Sequence, residues 1–293
     1  MKKIFFAILA IAALASCSKG NLQEDNSNEI KLIGAVNEVS TKDVIGTNNE
    51  FTASVAAWES NSTVDYTADT KWQTTSKILG GATSANLILA TPQYYNANNT
   101  IKSYVKAWYP IGTPTKGVVA ITNTTGNVDV MYAAEIFGSK LEQIVTPLTF
   151  NHLTTQLKFE VIEGTGLATG TTLTSIKLKN VQIPTSLNIA TGALDAAAAT
   201  DYTIQGISTS AIGTTATIVG NPIMIIPRTS TGLVLDIVTS TTTFTNIPII
   251  IETDANLLAG KAYTIKLTFK QSAIELKTSV VAWTNGTGTG EVE

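Results

Sequence analysis

A long series of short apolar runs, separated by turn-rich stretches, constrains the fold of this chain more than any other feature. In Tyr263–Lys270, Ile265, Leu267 and Phe269 occupy one face, while Thr and Lys residues occupy the other. That alternation is typical of an antiparallel strand with one solvated face. No long stretch follows the 3.6-residue period of an amphipathic helix, and Tyr132–Ile144 would hold a short helix or none. The pattern therefore predicts an all-β chain.

The predicted strands form two series that divide between about Ile144 and His152. The first series is Ile30–Val36, Phe51–Trp58, Leu87–Ala90, Ile101–Tyr109, Val118–Thr122 and Val128–Tyr132. The second is Leu157–Ile162, Ser175–Val181, Pro222–Ile226, Leu233–Val238, Ile247–Ile251, Tyr263–Lys270 and Ile274–Trp283. A chain of 293 residues is long enough for two domains. We therefore expect two β-sandwiches, residues 30–150 and 151–293, with the Ala-rich run at 195–200 in a loop or short turn.

The N-terminus has the pattern of an export signal. Two lysines follow Met1, Ile4–Leu14 is nearly all apolar, and small residues precede Cys17. Leu14–Cys17 resembles the bacterial lipobox, in which the Cys thiol receives a diacylglycerol. Cys17 is the only Cys in the chain, although an ordinary signal peptide with a chance Cys would look similar. We expect a lipoprotein signal peptide at 1–16, a polar tether at 17–29, and a palmitate-bearing anchor at Cys17 that holds the exported chain on a membrane.

The composition leaves little material for catalysis or for metal binding. One His and one Cys exclude a disulfide within the chain, a Cys/His zinc site and a redox Cys pair. A His-based triad would have to use His152, for which a structural role is the simpler interpretation. A formal charge of −3 has the wrong sign for a nucleic-acid partner. We therefore expect no enzyme, no cofactor and no metal site, although a carboxylate pair from distant strands remains possible at this point.

Four tryptophans allow a second interpretation of the exported chain. Trp58, Trp72, Trp108 and Trp283 would provide a platform for stacking sugar rings if they lay together on a surface. Trp108 and Trp283 each end a predicted strand, however, where an indole commonly closes the end of a sandwich core. A surface glycan-binding lipoprotein therefore stays open as an alternative.

Several short motifs follow one another along the chain. They are the lipobox at Cys17, Ile30–Val36 followed by Ser40–Lys42, Ala107–Pro110, Val128–Ala133, Leu148–Leu153 leading into Leu157–Phe159, Leu187–Leu194, Ile225–Pro227, Gly260–Tyr263 and Trp283. In this order they resemble the fimbrillins, the pilus subunits of Bacteroidales that are made as outer-membrane lipoproteins. Each motif is weak alone. Together they cover nearly all of the chain that follows the signal peptide.

The resemblance implies both a fold and a function. The fold is two transthyretin-like antiparallel β-sandwich domains in tandem. The function is that of a structural subunit of cell-surface fimbriae that supports adhesion. In the family, a protease cuts the loop after the first strand of the lipidated precursor, and a strand from a neighbouring subunit fills the opened groove. The implied partners are like subunits in a head-to-tail polymer, tip and anchor subunits, and the outer membrane; shaft, tip and anchor roles stay open.

The first strand has the pattern that such an exchange requires. Ile30, Leu32, Gly34 and Val36 lie on one face of an alternating strand, with Lys31 on the other. Removal of this strand would leave unpaired backbone groups beside apolar pockets, which is a template for another strand.

The cleavage position departs from the family pattern. The family's loop usually contains Arg, whereas the only Arg of this chain is Arg228, and Lys42 occupies the expected place. Either the protease accepts Lys42, or the subunit stays uncut and acts as an anchor or accessory subunit. Lys42 would in that case be an ordinary solvated turn lysine.

Overall fold

The computed structural model describes residues 28–37, 50–79, 84–251, 256–271 and 273–282, and every regular element among them is a β-strand. The first half contains β1 Leu32–Val36, β2 Glu50–Ser60, β3 Trp72–Leu79, β4 Ala85–Leu89, β5 Lys102–Tyr109, β6 Val118–Ala120, β7 Met131–Gly138 and β8 Leu148–His152. The second half contains β9 Thr155–Glu163, β10 Leu173–Val181, β11 Pro184–Asn188, β12 Leu194–Ala196, β13 Thr200–Thr203, β14 Thr217–Ile225, β15 Arg228–Thr229, β16 Val234–Thr239, β17 Thr243–Pro248, β18 Asn256–Leu257, β19 Lys261–Phe269 and β20 Ile274–Ala282. The prediction of an all-β chain is confirmed.

Seven strands of the first half close into a barrel in the order β1-β4-β3-β2-β5-β7-β8. Its pairings are antiparallel except one: β1 runs parallel to β8, with Gly34 opposite Leu148 and Val36 opposite Phe150. On its other side β1 is antiparallel to β4. The first half is therefore a closed barrel, in which β1 joins the two edges that an open sandwich would leave apart.

The sequence of strand β2 is a nearly continuous apolar run. Most of its residues are buried, because both of its faces are covered. Phe51 and Val55 face the core inside the barrel. Ala56 and Trp58 belong to another apolar cluster, on the outer side of the barrel.

The second half has two four-stranded sheets, ordered β13-β10-β16-β17 and β14-β9-β19-β20, that enclose the largest apolar core. Its first strand repeats the arrangement of β1. Strand β9 is antiparallel to β14 on one side and parallel to β19 on the other. Each half therefore begins with a strand inserted between an antiparallel and a parallel neighbour.

A small sheet connects the two halves. The hairpin β11–β12, from the second half, pairs with β6, from the first half, and places Leu187 opposite Val119. These residues enter the apolar cluster on the outside of the barrel together with Trp108 and Ile189. The buried residues of the barrel core lie between Ile30 and Phe150 and those of the largest core between Leu157 and Phe269, and the pairing of β6 with β11 joins the two halves.

The sequence assigns two segments only loosely. The segment Tyr132–Ile144, expected to hold a short helix or none, has no helix and contains most of strand β7. The Ala-rich run at 195–200, expected as a loop or short turn, has a loop at residues 197–199 between the end of β12 and the start of β13. Among the described residues no helix is long and apolar enough to cross a membrane.

Candidate functional site: the groove of the first strand

Strand β1 is held at both ends by backbone hydrogen bonds beyond its ladders. The Ile30 N–H donates to the Gln93 carbonyl at 2.7 Å, and the Asn37 N–H donates to the Phe150 carbonyl at 2.9 Å. Between these points β1 pairs with β4 over three residues and with β8 over three residues. Because both ladders are short, few backbone hydrogen bonds hold β1 in the barrel.

The inward face of this segment is buried. Ile30, Leu32, Gly34 and Val36 are all buried, whereas Lys31 lies exposed on the other face. Ile30, Leu32 and Val36 belong to the core inside the barrel. The structure thus brings the four residues of the predicted exchangeable strand to one apolar groove.

Aromatic rings form part of that barrel core. The rings of Phe51 and Phe150 meet edge to face with centroids 5.7 Å apart, and Phe51 meets Tyr109 in the same way at 5.5 Å. Edge-to-face pairs of this kind are rigid and favourable in apolar surroundings. Because these rings lie on strands that stay in place, a groove without β1 would keep an aromatic wall.

Two cavities lie along the border between β1 and β4. The larger, of about 500 Å³, is bordered by Gly34, Ile78, Leu87 and Ile88 among others. The smaller, of about 310 Å³, is bordered by residues 29–32 and by Pro92. Incomplete packing on this side lowers the cost of separating β1 from β4.

An ion pair lies at the edge of the larger cavity. Lys77 Nζ is 2.6 Å from Glu50 Oε1, and both side chains are exposed. The hydrogen bond to Glu50, reinforced by its charge, raises the pKa of Lys77 above the usual value. Because both side chains are exposed, the ion pair contributes little to stability.

Strand β20 is an edge strand with an inward pattern like that of β1. It pairs with β19 over its whole length and is the last strand of its sheet. Ile274, Leu276 and Val280 are half-buried against the core, while Glu275 and Lys277 are exposed. Residues 30–36 read Ile-Lys-Leu-Ile-Gly-Ala-Val and residues 274–280 read Ile-Glu-Leu-Lys-Thr-Ser-Val. At three of the four inward positions the two segments have the same residues, Ile, Leu and Val. At the fourth, residues 30–36 have Gly34 and residues 274–280 have Thr278.

A buried lysine at the junction between the halves was not predicted from the sequence. Lys106 Nζ donates to the Tyr132 hydroxyl at 2.7 Å and to the Ile189 and Ala190 carbonyls, each at 2.9 Å. It also lies 4.0 Å from the ring centroid of Tyr66, which hydrogen-bonds Glu135. We call Lys106, Tyr66, Tyr132 and Glu135 the junction cluster.

Burial controls the ionisation of the junction cluster. Loss of solvent lowers the pKa of Lys106, and the Glu135 carboxylate partly opposes that shift. Burial also raises the pKa of Tyr132 to about 12, with a smaller contribution from Glu135. Since Ile189 and Ala190 follow β11, the Lys106 ammonium fastens the β11–β12 hairpin to the barrel.

His152 takes part in a buried polar group at the end of β8. Its Nδ1 lies 2.7 Å from Asp129 Oδ2, and the Thr154 hydroxyl donates to Asp129 Oδ1 at 3.2 Å. The Asp129 carboxylate is a partner that the sequence did not indicate. The Thr154 hydroxyl bonds the carboxylate, so it is not aligned with the imidazole as a nucleophile would be.

The tryptophans do not form a common surface among the described residues. Trp58 and Trp108 are buried, and their Nε1 atoms donate to the Ala68 and Gly112 carbonyls at 3.0 and 3.1 Å. Trp72 is half-buried, and Trp283 lies outside the described residues.

Across the described ranges, no group of three or more His, Cys, Asp or Glu side chains is placed to hold a metal ion.

Two predicted site residues, Cys17 and Lys42, lie outside the described residues. Their roles therefore stay predictions.

Comparison with family models gives two matches. A model described as fimbrillin-like matches residues 35–283, most of the chain. A model of the prokaryotic membrane lipoprotein lipid attachment site matches residues 1–18. No curated protein matches the chain significantly.

Solved structures share the fold. A candidate cell adhesion protein from Bacteroides uniformis is 15% identical, with a TM-score of 0.60 over 88% of this chain and 100% of that one. One from Bacteroides ovatus is 17% identical, with a TM-score of 0.56 over 87% and 97%. A fimbrial protein from Bacteroides vulgatus is 15% identical, with a TM-score of 0.50 over 86% and 99%.

Proposed function

The chain belongs to the fimbrillin-like family. From that membership we propose that copies of this chain polymerise by strand exchange at the β1 groove. The chain is a structural subunit of cell-surface fimbriae, lipid-anchored at the outer membrane. The observation that supports exchange is the position of β1. A single short strand, near the start of the chain, closes the barrel between β4 and β8.

Loss of β1 creates a strong binding site for another strand. Ile30, Leu32 and Val36 fill buried positions, and replacing three such side chains regains roughly 5–9 kcal/mol at about 1.5–3 kcal/mol each. Backbone pairing with β4 and β8 adds about 0.5–1.5 kcal/mol net for each hydrogen bond. A head-to-tail contact of this kind does not close on itself, so it grows a filament.

Strand β20 of a neighbouring copy is the proposed occupant. It is an edge strand, and it places Ile, Leu and Val at the spacing that β1 uses. A Cβ at Gly34 would lie 2.5 Å from Leu87 Cδ2, so Thr278 at that place requires the Leu87 side chain to move. Leu87 borders the 500 Å³ cavity, which gives it room to do so.

The proposed trigger is proteolysis at Lys42, in the connection from β1 to β2. While β1 remains attached, its effective concentration in its own groove is on the order of millimolar, so an incoming strand is outcompeted. After the cut β1 can leave for good, and the strand of a neighbour takes its place. The uncut chain is accordingly expected to be monomeric.

Limited trypsin digestion of the purified mature chain tests this trigger. We expect cleavage at Lys42, read by mass spectrometry, followed by slow growth of ladder-like oligomers on a sizing column. Lys42→Gln should resist this cleavage and stay monomeric. If the wild-type chain is cut at Lys42 and stays monomeric over long incubation, or if Lys42 is protected, strand exchange is wrong for this subunit and the uncut anchor role is favoured.

A reversible lock distinguishes release of β1 from other effects of the cut. Ile33 and Asn86 are Cα partners on β1 and β4, within the range that a disulfide spans, so Ile33→Cys with Asn86→Cys should pin β1 in place. Cys17 is the only native thiol, and acylation would block it. The oxidised variant should be cut but remain monomeric, and reduction should restore polymerisation. Polymerisation of the oxidised, cut variant would contradict exchange at β1.

The finer fold is also a proposal. We propose two transthyretin-like domains in tandem, residues 30–150 and 151–293. It is supported by the equivalent placement of β1 and β9, each between an antiparallel and a parallel neighbour. In this view the closed barrel is a sandwich whose edges are joined by β1.

The remaining details follow from the family and from the N-terminal motif. We propose acylation at Cys17, head-to-tail partners of the same family together with tip and anchor subunits, a role in cell adhesion, and no catalytic role. Replacing Cys17 with Ala should abolish palmitate labelling and release the protein from membranes. Retained labelling of Cys17→Ala would show that the anchor lies elsewhere.

A further inference from the structure

Exposed apolar side chains surround the point where the chain enters the barrel. Ile88 is 82% exposed, Val145 79%, Leu141 73% and Tyr94 58%. We name these four residues the apolar rim. Large apolar side chains exposed close together on a folded protein commonly mark a contact with a membrane or a partner.

Hydrogen bonds place the apolar rim around Asn28, the first described residue of the mature chain. The Tyr95 N–H, next to Tyr94, donates to the Asn28 carbonyl at 2.8 Å. The Ile144 N–H, next to Val145, donates to the Tyr95 hydroxyl at 2.7 Å. Tyr95 thus connects the entry of the chain to the 139–147 loop.

Two further contacts complete this arrangement. Leu141 belongs to the same loop, which is closed by a hydrogen bond of 2.8 Å from the Ser139 N–H to the Glu142 carbonyl. Ile88 borders the same 310 Å³ cavity as residues 29–32. All four rim residues therefore lie on or beside the elements that contact the start of β1.

The length of the preceding chain limits how far this end of the barrel can lie from the bilayer. Only residues 17–27 separate the predicted acylation site from Asn28. Eleven residues span at most about 40 Å when fully extended. The barrel end with the apolar rim is therefore the part of the described molecule held nearest to the lipid.

We propose that the apolar rim docks on the phospholipid surface while the subunit is anchored. The docking rests on lipid anchoring and is independent of strand exchange, whereas its loss on maturation rests on the proposed cut and release of β1. Lys31 and Lys140 are balanced by Glu29 and Glu142 around the rim, so apolar insertion rather than charge drives the contact. Because the anchor keeps the rim at an effective concentration on the order of millimolar, a weak contact is enough to orient the subunit.

Proteolysis in the connection that follows β1 would remove the high effective concentration that the anchor gives the rim. The anchor and β1 lie on the same side of Lys42, so one cut separates both from the rest of the subunit. The rim then keeps only its weak intrinsic affinity for lipid. Docking therefore holds the precursor against the membrane and is lost when the subunit matures.

An environment-sensitive fluorophore tests the docking directly. Leu141→Cys and Val145→Cys each provide a single free thiol in the acylated chain, and labelling with NBD reports the polarity at that position. Ile218→Cys is the control, since Ile218 is also an exposed apolar residue, at 51%, but lies on β14 of the second half. The labelled chains are reconstituted in vesicles of phosphatidylethanolamine and phosphatidylglycerol.

We expect NBD emission at positions 141 and 145 to rise about twofold or more and to shift to the blue on reconstitution, with quenching by nitroxide lipids. Position 218 should not change, and high salt should not reverse the effect. Co-flotation with the vesicles confirms anchoring separately, so a chain that floats while positions 141 and 145 behave like position 218 overturns the proposal. An emission change that disappears when the protein-to-lipid ratio is lowered indicates a second copy instead and also overturns it.

Discussion

Lys106 lies in an environment that is unusual for a lysine. A lysine is rarely buried without partners, and here three oxygens accept from its Nζ. No sequence pattern indicates this role, because β5 contains two lysines and nothing local distinguishes Lys106 from Lys102. Its acceptors come from Tyr132 and from a hairpin more than eighty positions away, and that proximity exists only in the folded chain.

We expect Lys106→Met to lower the free energy of unfolding by about 1–3 kcal/mol, because the buried hydrogen bonds from its Nζ to the Tyr132 hydroxyl and the Ile189 carbonyl are lost. Lys77→Met is the matched control. It removes an exposed ion pair and should change stability much less. Urea denaturation followed by tryptophan fluorescence measures both, and equal losses for the two variants would argue against a fastening role for Lys106.

The buried tyrosines make stability fall at high pH. Burial raises the pKa of Tyr132 to about 12, whereas an unfolded tyrosine titrates near 10. Between these values the unfolded chain loses a proton that the folded chain keeps, so the stability present below pH 10 is lost as the pH rises. Lys106, whose pKa is lowered by burial, acts in the opposite direction, but only up to about 10.5.

Between about pH 10.5 and 11.5 Tyr132 should therefore contribute to the decline, by up to about 1.4 kcal/mol per pH unit. Tyr132→Phe should make the decline less steep by about that amount, whatever its effect at neutral pH. Urea unfolding at several pH values within this interval measures the slope. Parallel slopes for the wild type and the variant would show that Tyr132 does not titrate as described.

At the scale of elements, the strands with regular alternation were predictable, and those with polar inward residues were not. The prediction of Tyr263–Lys270 lies within two residues of β19 at each end, because its apolar side chains alternate without interruption. Strand β3 was missed, since Thr74 and Ser76 take inward positions where apolar residues would be expected. Their polar groups are satisfied locally: Ser76 Oγ donates to the Ile88 carbonyl at 3.0 Å, and Thr74 Oγ1 accepts from the Thr91 N–H at 3.2 Å.

The groove of β1 likewise has one part that the sequence predicts and one that it does not. The inward residues of β1 could be predicted, because alternation assigns them to one face. The neighbours of β1 could not, since pairing with β4 and with β8 joins segments separated by about 50 and more than 100 positions. A parallel partner in particular leaves no local signal, because it is reached through a long connection.

Strand β20 provides a direct test of which strand enters the groove. We expect Leu276→Asp to abolish oligomer growth after proteolysis, because it would bury a carboxylate at the position that Leu32 occupies. Lys277→Asp changes the charge of a neighbouring residue on the exposed face and should leave growth nearly unchanged. Mixing Leu276→Asp subunits with wild-type subunits distinguishes the role of the donor strand from that of the acceptor groove.

Cut Leu276→Asp subunits should still accept wild-type β20 at their own grooves and so cap growing chains. Sizing of mixtures at several ratios measures this effect. Normal growth of Leu276→Asp alone would show that another segment is the donor.

At the scale of the whole molecule, the two halves are tied together at a surface that the sequence did not reveal. The small sheet β12-β11-β6 and the junction cluster both connect the β11–β12 hairpin with the barrel. Leu187, on β11, is buried in the apolar cluster outside the barrel and takes no part in the core of its own half. This hairpin thus joins the barrel to the half that contains β20.

We expect this connection to make the wild-type chain unfold in a single calorimetric transition. Leu187→Asp should divide that transition into two, because a carboxylate in the cluster outside the barrel breaks the coupling while both main cores stay intact. Asn188→Asp adds the same charge to the same strand, yet its side-chain oxygen can still accept from the Thr191 N–H, so this control should keep one transition. Differential scanning calorimetry of the three proteins at one concentration measures the outcome. If Leu187→Asp lowers the midpoint but retains a single transition, the halves are coupled through other contacts, and the hairpin is not the element that joins them.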